Sequence, residues 1–90
     1  MNTVENEKLT IYEVESFHKQ LLAWLEGGIE ELKLDFGNVK LIDVPALQLL
    51  LSVQKSCDHK GINFELTNVS EEVCKSILNA GCSPLLKGCA

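Results

Sequence analysis

The chain has few basic residues, and they are dispersed. Eight Lys and Arg stand against thirteen Asp and Glu in 90 residues, which gives a formal net charge of -5. Binding to nucleic acid requires clustered basic side chains that contact phosphates, so this composition argues against DNA or RNA as a partner. An anionic membrane surface is disfavoured for the same reason.

Long apolar runs are missing as well. The longest of them, such as residues 47–53, are far shorter than the ~20 residues that cross a bilayer. The N-terminal residues also lack the basic and apolar regions of a signal peptide. We therefore expect no direct membrane insertion and a cytoplasmic location.

The four cysteines do not have the spacing of a zinc site. Cys57, Cys74, Cys82 and Cys89 form no Cys-x2-Cys or Cys-x4-Cys pair. This spacing favours reduced thiols that act as small hydrophobic side chains, so neither a disulfide nor a metal site is predicted.

Patterns typical of catalysis are not found. A nucleophile needs a base and an orienting group, and neither His18 nor His59 has a Gly-x-Ser-x-Gly or paired-carboxylate pattern nearby. Gly27 and Gly28 follow a predicted helix instead of opening one, so they do not form a phosphate cradle. We expect a protein that is not an enzyme and uses no cofactor.

The hydrophobic pattern predicts one α/β domain over residues 1–90. Leu32, Leu34 and Phe36 alternate with charged residues, which is typical of a strand with one solvated side, and the extended segment is expected to continue through Val39 to Ile42. We predict a small single-layer mixed sheet with helices on one face. The predicted order is β-α-β-α-β-α, with strands at 9–12, 31–36 and 62–66 and helices at 13–26, 45–58 and 70–80.

Apolar residues in the second half of the chain suggest which helix faces are buried. Val73, Ile77 and Leu78 are predicted to face the core. The second helix has more leucines than one buried stripe needs, and Leu49 is expected to be exposed. Leu85 and Leu86 follow Pro84, and they are expected either to cover the sheet edge or to meet a partner.

Four segments in the same order resemble STAS domains, the small α/β modules of anti-sigma-factor antagonists, lipid-transport accessory subunits and sulfate-transporter tails. These segments are Leu9-Thr10-Ile11-Tyr12, Leu34-Asp35-Phe36-Gly37-Asn38-Val39, Leu47-Gln48-Leu49-Leu50 and Asn68-Val69-Ser70-Glu71-Glu72-Val73. STAS domains usually begin with a full strand, whereas only eight residues precede Leu9. The resemblance therefore implies a first strand that is short or missing, and an open sheet edge through which a homodimer can pair.

The loop before the second helix departs from the family pattern. The family typically has Asp-Ser-Ser/Thr-Gly-Leu or Asp-Thr-Ala-Gly-Leu, and this chain has Asp43-Val44-Pro45-Ala46-Leu47. The residue after the aspartate is the one that a partner kinase phosphorylates in switching members. Val44 has no hydroxyl, so it is the non-functional equivalent of that phosphorylation site. Asp43 is expected to cap the helix by accepting hydrogen bonds from first-turn amides, and Pro45 is tolerated in that turn.

The resemblance implies a non-catalytic interaction module, similar to an anti-sigma-factor antagonist, that is not switched by phosphorylation. The expected partner is an anti-sigma-factor kinase or a related histidine-kinase-like ATPase, including those of chemotaxis clusters. The alternative is an accessory subunit that binds the ATPase of an ABC-type phospholipid transporter. The residues expected to bind the partner are Asp43, Val44, Pro45, Ala46, Leu47 and Leu49.

Overall fold

Alternating strands and helices make up the part of the chain that the computed structural model describes, residues 2–86. The strands are β1 (Asn2–Thr3), β2 (Lys8–Leu9), β3 (Glu31–Asp35), β4 (Leu41–Ile42) and β5 (Asn63–Thr67). The helices are α1 (Val14–Leu25), α2 (Val44–Lys60) and α3 (Glu71–Asn79), followed by a 3-10 turn at Ser83–Leu86. The predicted α/β fold with a short first strand is confirmed, and the three predicted helices differ from the observed ones by two residues or fewer at each end.

The strands form two small sheets. One has the order β1-β3-β5, and β2 pairs with β4 in the other. In the larger sheet Leu32 lies opposite Phe64, and Leu34 lies opposite Leu66. Every strand pair within residues 2–86 is parallel, whereas a mixed sheet was predicted. The parallel β3–β5 pair follows from α2, which is long enough to carry the chain back to the start of the sheet.

The two faces of the larger sheet differ in polarity. Leu32, Leu34, Phe64 and Leu66 are buried on the face that meets the helices. On the other face the Lys33 Nζ lies 3.1 Å from Glu31 Oε1. The hydrogen bond to Glu31, together with the charges of Glu31 and Glu65, raises the pKa of Lys33. This face is therefore suited to water and not to a further apolar layer.

A turn at Gly37 ends β3 earlier than predicted. The sequence favoured one extended segment to Ile42, but the strand ends at Asp35 and β4 belongs to the second sheet. Asp35 Oδ1 accepts hydrogen bonds from Gly37 N at 2.8 Å and from Asn68 Nδ2 at 3.2 Å. The carboxylate thus fixes the turn and ties the end of β3 to the residue that follows β5.

The strand predicted at residues 9–12 also ends early. The segment 9–12 was expected to be extended, but β2 ends at Leu9 and the next residues turn into α1. Thr10 O accepts a hydrogen bond from Glu13 N at 3.0 Å, and Thr10 Oγ1 donates one to Glu13 Oε2 at 2.7 Å. These two bonds close the turn and leave Ile11 and Tyr12 exposed.

The core lies between the larger sheet and the helices. One residue of α3 that was predicted to face this core is exposed instead. Val73 and Ile77 of α3 are buried, as predicted, but Leu78 is 55% exposed. An α-helix turns about 100° per residue, so Leu78 lies well outside the stripe that Val73 and Ile77 share. Leu85 is buried, and the 3-10 turn contacts β5, α2 and α3. The sequence allowed Leu85 either to cover the sheet edge or to meet a partner. In the structure it covers the sheet edge at β5.

Candidate functional site

The loop that was predicted to bind a partner lies where β4 leads into α2. The Asp43 N–H donates a hydrogen bond to Leu9 O at 2.9 Å, which extends the β2–β4 pairing up to the helix. Val44 is then the first residue of α2 and is 54% exposed. The side chain that replaces the family's hydroxyl is therefore presented to solvent at the start of the helix.

Asp43 occupies the N-cap position, but its carboxylate does not cap the helix. The backbone has the extended conformation of an N-cap residue, with φ -99° and ψ 164°, yet the side chain accepts no hydrogen bond from the first turn. Cap side chains accept from the second or third helical N–H. Pro45 is the second helical residue and has no N–H, so one of these two donors is missing. The predicted cap hydrogen bonds are wrong, and the carboxylate is left exposed.

The N-cap residues of α2 and α3, Asp43 and Ser70, are expected to contribute differently to stability. Ser70 Oγ accepts a hydrogen bond from Val73 N at 3.2 Å, so Ser70→Ala is expected to lower the free energy of unfolding by about 1 kcal/mol. Asp43→Ala removes a charge near the helix dipole but no cap hydrogen bond, and it is expected to cost about 0.5 kcal/mol or less. Urea denaturation of the two variants measures both values. A loss for Asp43→Ala as large as that for Ser70→Ala would show that the aspartate does cap the helix.

An open groove runs between the start of α2 and the last turn of α3. We call it the α2–α3 groove. Ile42, Asp43, Val44 and Leu47 line it on one side, and Ser76, Asn79 and Ala80 line it on the other. Its surface therefore combines aliphatic side chains with one carboxylate, one hydroxyl and one amide.

The structure does not bring all the predicted binding residues to this surface. Ala46 and Leu47 are buried, and only Leu47 borders the groove. Pro45 is half-buried. Leu49, expected to be exposed, is half-buried against the core and does not line the groove. A partner that docks here would thus meet Asp43 and Val44 first.

The residues that α3 contributes to the α2–α3 groove were not predicted from the sequence. Ser76, Asn79 and Ala80 share a face of α3 because they are three and four residues apart. Spacing shows that they lie together, but it does not show that this face meets the start of α2. Ser76 Oγ donates to Glu72 O at 3.2 Å, so the one hydroxyl that lines the groove is bonded within its own helix.

None of the thiols in residues 2–86 lines this groove, although Cys82 Sγ donates a hydrogen bond to the backbone oxygen of Ala80 at 3.6 Å. Cys57 and Cys82 are buried and Cys74 is half-buried, all as free thiols, and Cys89 lies outside the described residues. Burial raises the pKa of the Cys57 thiol, with a smaller contribution from Asp58. Between residues 2 and 86, no three His, Cys, Asp or Glu side chains are arranged to hold a metal ion.

None of the helices in residues 2–86 combines the length and the apolar character that crossing a bilayer demands.

Comparison with known proteins identifies the fold and the family. A solved structure titled as a sulfate transporter family protein from Wolinella succinogenes is similar, with a TM-score of 0.76 and 23% identity over 94% of this chain and 70% of the other. No curated protein matches the chain significantly. The family model described as "Mlab, STAS domain" matches residues 6–87, nearly the whole sequence. Domains of this family generally mediate protein–protein interactions and are generally non-catalytic. This chain therefore belongs to the STAS domain family.

Proposed function

We propose that the protein is a non-catalytic interaction module that holds a protein partner at the start of α2. The observation that carries this proposal is the position of Val44, an aliphatic side chain 54% exposed at a helix start and beside an open groove. Contiguous apolar surface is typical of docking sites, and Val44 adjoins the aliphatic side chains of Ile42 and Leu47 in the α2–α3 groove. The proposal narrows the expected contact residues to Asp43, Val44 and the exposed part of Pro45, with Ala46 and Leu47 supporting them from the core.

Binding at this site is not switched by phosphorylation of residue 44. A phosphate here would add about -1.5 to -2 charges beside the carboxylate of Asp43 and would repel a docked partner. Valine has no oxygen that can accept a phosphoryl group. The proposed binding therefore requires no phosphorylation switch at residue 44.

The proposed partner is an anti-sigma-factor kinase or a related histidine-kinase-like ATPase. The second candidate is the ATPase of an ABC-type phospholipid transporter, and the transporter title of the structural neighbour is compatible with it. Both partner classes use ATP, so the proposal includes a cytoplasmic location. The two candidates differ in which ATPase binds.

Capture from the native host, followed by measurement on the purified pair, tests the proposal. We expect mass spectrometry of cross-linked complexes to identify one ATPase, either of the kinase type or of the transporter type. With that ATPase purified, Val44→Asp is expected to weaken binding at least about tenfold in calorimetric titration, because a charge replaces a central apolar contact.

Leu22→Asp is the matched control for this test. Leu22 is 47% exposed, and it borders a different groove, which Lys60 at the opposite end of α2 also lines. At 1.5 Å per residue that end is about 24 Å from Val44. Binding by Leu22→Asp is expected to stay within about twofold of the original protein, which is less than 1 kcal/mol. Equal losses in both variants, or full binding by Val44→Asp with an unchanged circular dichroism spectrum, would contradict a site at the start of α2.

Self-association through the open sheet edge is not part of the proposal. β1 lies at one edge of the β1-β3-β5 sheet, but it has only two residues. A second chain that paired there would gain very few backbone hydrogen bonds, and two-stranded pairings are marginal in water even when they are longer. The other edge, at β5, contacts the 3-10 turn.

A further inference from the structure

The α2–α3 groove has a specific chemical character. Ile42, Val44, Leu47 and Ala80 give it an apolar surface, and Asp43 places a carboxylate at its rim. Among residues 2–86 this carboxylate has no hydrogen-bond donor or cationic partner, because Pro45 takes away one first-turn amide and the three ion pairs of the structure involve other acids. The carboxylate is therefore free to accept hydrogen bonds from a ligand.

The last turn of α3 adds to this negative potential. A helix C-terminus carries a partial negative charge, which lysine or arginine in the last turn often offsets. The last turn of α3 contains no basic residue. Lys75 is the one basic residue of α3, and it does not line the groove. The positive end of the α2 dipole offsets part of the charge of Asp43, so about one negative charge remains at the groove.

We propose that the groove receives an arginine side chain of the partner protein, carried on a segment with apolar neighbours. This inference rests on the proposed function, because it names the chemistry that the partner presents at the same surface. The planar guanidinium donates two parallel hydrogen bonds to the Asp43 carboxylate. The aliphatic stem of the arginine lies on Val44 and Ala80, and the side-chain amide of Asn79 supplies a further acceptor.

Arginine fits this site better than lysine. A guanidinium is less strongly hydrated than an ammonium group and lies flat against apolar side chains, whereas an ammonium group makes single, point-like contacts. The formal net charge of -5 on this chain also favours approach by a basic partner surface. The interaction is therefore expected to weaken as salt concentration rises.

A peptide titration followed by NMR tests the inference without the natural partner. The probe is the acetylated and amidated tripeptide Leu-Arg-Leu, added to the ¹⁵N-labelled full chain. We expect saturable amide shift changes at Val44, Ser76 and Asn79. The matched probe Leu-citrulline-Leu has the same shape without the charge, and its affinity is expected to be about two- to fivefold lower, in keeping with loss of a solvent-exposed ion pair.

Asp43→Asn is the matched protein variant, and it should reduce the affinity for the arginine peptide by a similar factor. No shift change at the groove, or equal affinity for the arginine and citrulline peptides, would overturn the inference. So would unchanged affinity in Asp43→Asn.

Partner binding separates this inference from the function on which it rests. If Val44→Asp weakens binding of the identified ATPase but Asp43→Asn does not, the docking site stands and the arginine proposal fails. If Val44→Asp has no effect on the ATPase, the docking site itself fails, whatever the peptide shows.

Discussion

Replacing Leu47 by alanine is expected to lower the free energy of unfolding by about 2–5 kcal/mol. Leu47 is 1% exposed and belongs to the core cluster, although it borders the α2–α3 groove. Removing three carbon atoms there loses transfer free energy and leaves a cavity, because the surrounding helices and sheet can close only in part. A domain of this size has a total stability of about 5–15 kcal/mol, so the loss is a large fraction of it. Urea denaturation measures the change.

Val44→Ala is the matched control for Leu47→Ala. The two residues border the same groove and are three positions apart in α2, but Val44 is 54% exposed. Its truncation is expected to change the free energy of unfolding by about 0.5 kcal/mol or less, as for other surface positions. If Leu47→Ala left stability unchanged and weakened partner binding instead, Leu47 would be a contact residue, as the sequence had suggested.

The sequence predicted the helices of this fold better than its strands. Alternation at Leu32 and Leu34 and the helical spacing of Val73 and Ile77 mark side chains that are buried in the structure. The extended segment beyond Asp35 was wrong for a local reason. The Asp35 carboxylate accepts a hydrogen bond from Gly37 N and closes a turn, although the apolar pattern of the sequence continues through that turn. A pattern of side chains does not reveal such a backbone bond.

The candidate site was predictable only in part. The sequence showed that Val44 stands at a helix start without a hydroxyl, and the structure places it there, exposed. The opposite wall of the groove comes from Ser76 and Asn79, more than 30 residues away along the chain. Which faces of two helices meet depends on tertiary packing around the sheet, so no local pattern identifies this wall. Helix periodicity likewise did not show that Leu49 of α2 is partly buried against the core.

The 3-10 turn also depends on tertiary packing. The sequence left open whether its leucines cover the sheet edge or meet a partner. Pro84 predicts the end of regular structure, but it does not say whether the leucines that follow are covered. In the structure Leu85 is 1% exposed. Gln54 Nε2 of α2 donates a hydrogen bond to Pro84 O at 2.9 Å, which attaches the turn to the helix. This segment therefore closes the core at the edge of the sheet.

Leu85→Ala is accordingly expected to lower the free energy of unfolding by about 2–4 kcal/mol, close to the effect of truncating a leucine in the central core. For a domain of this length that corresponds to a fall of at least about 8 °C in the midpoint of thermal unfolding. Leu86→Ala is the matched control, because Leu86 is the neighbouring leucine and is only half-buried. Its loss is expected to be about 1 kcal/mol or less, since less apolar area leaves water there. Equal losses for the two leucines, or no loss for Leu85, would mean that the turn lies against the domain without contributing to its core.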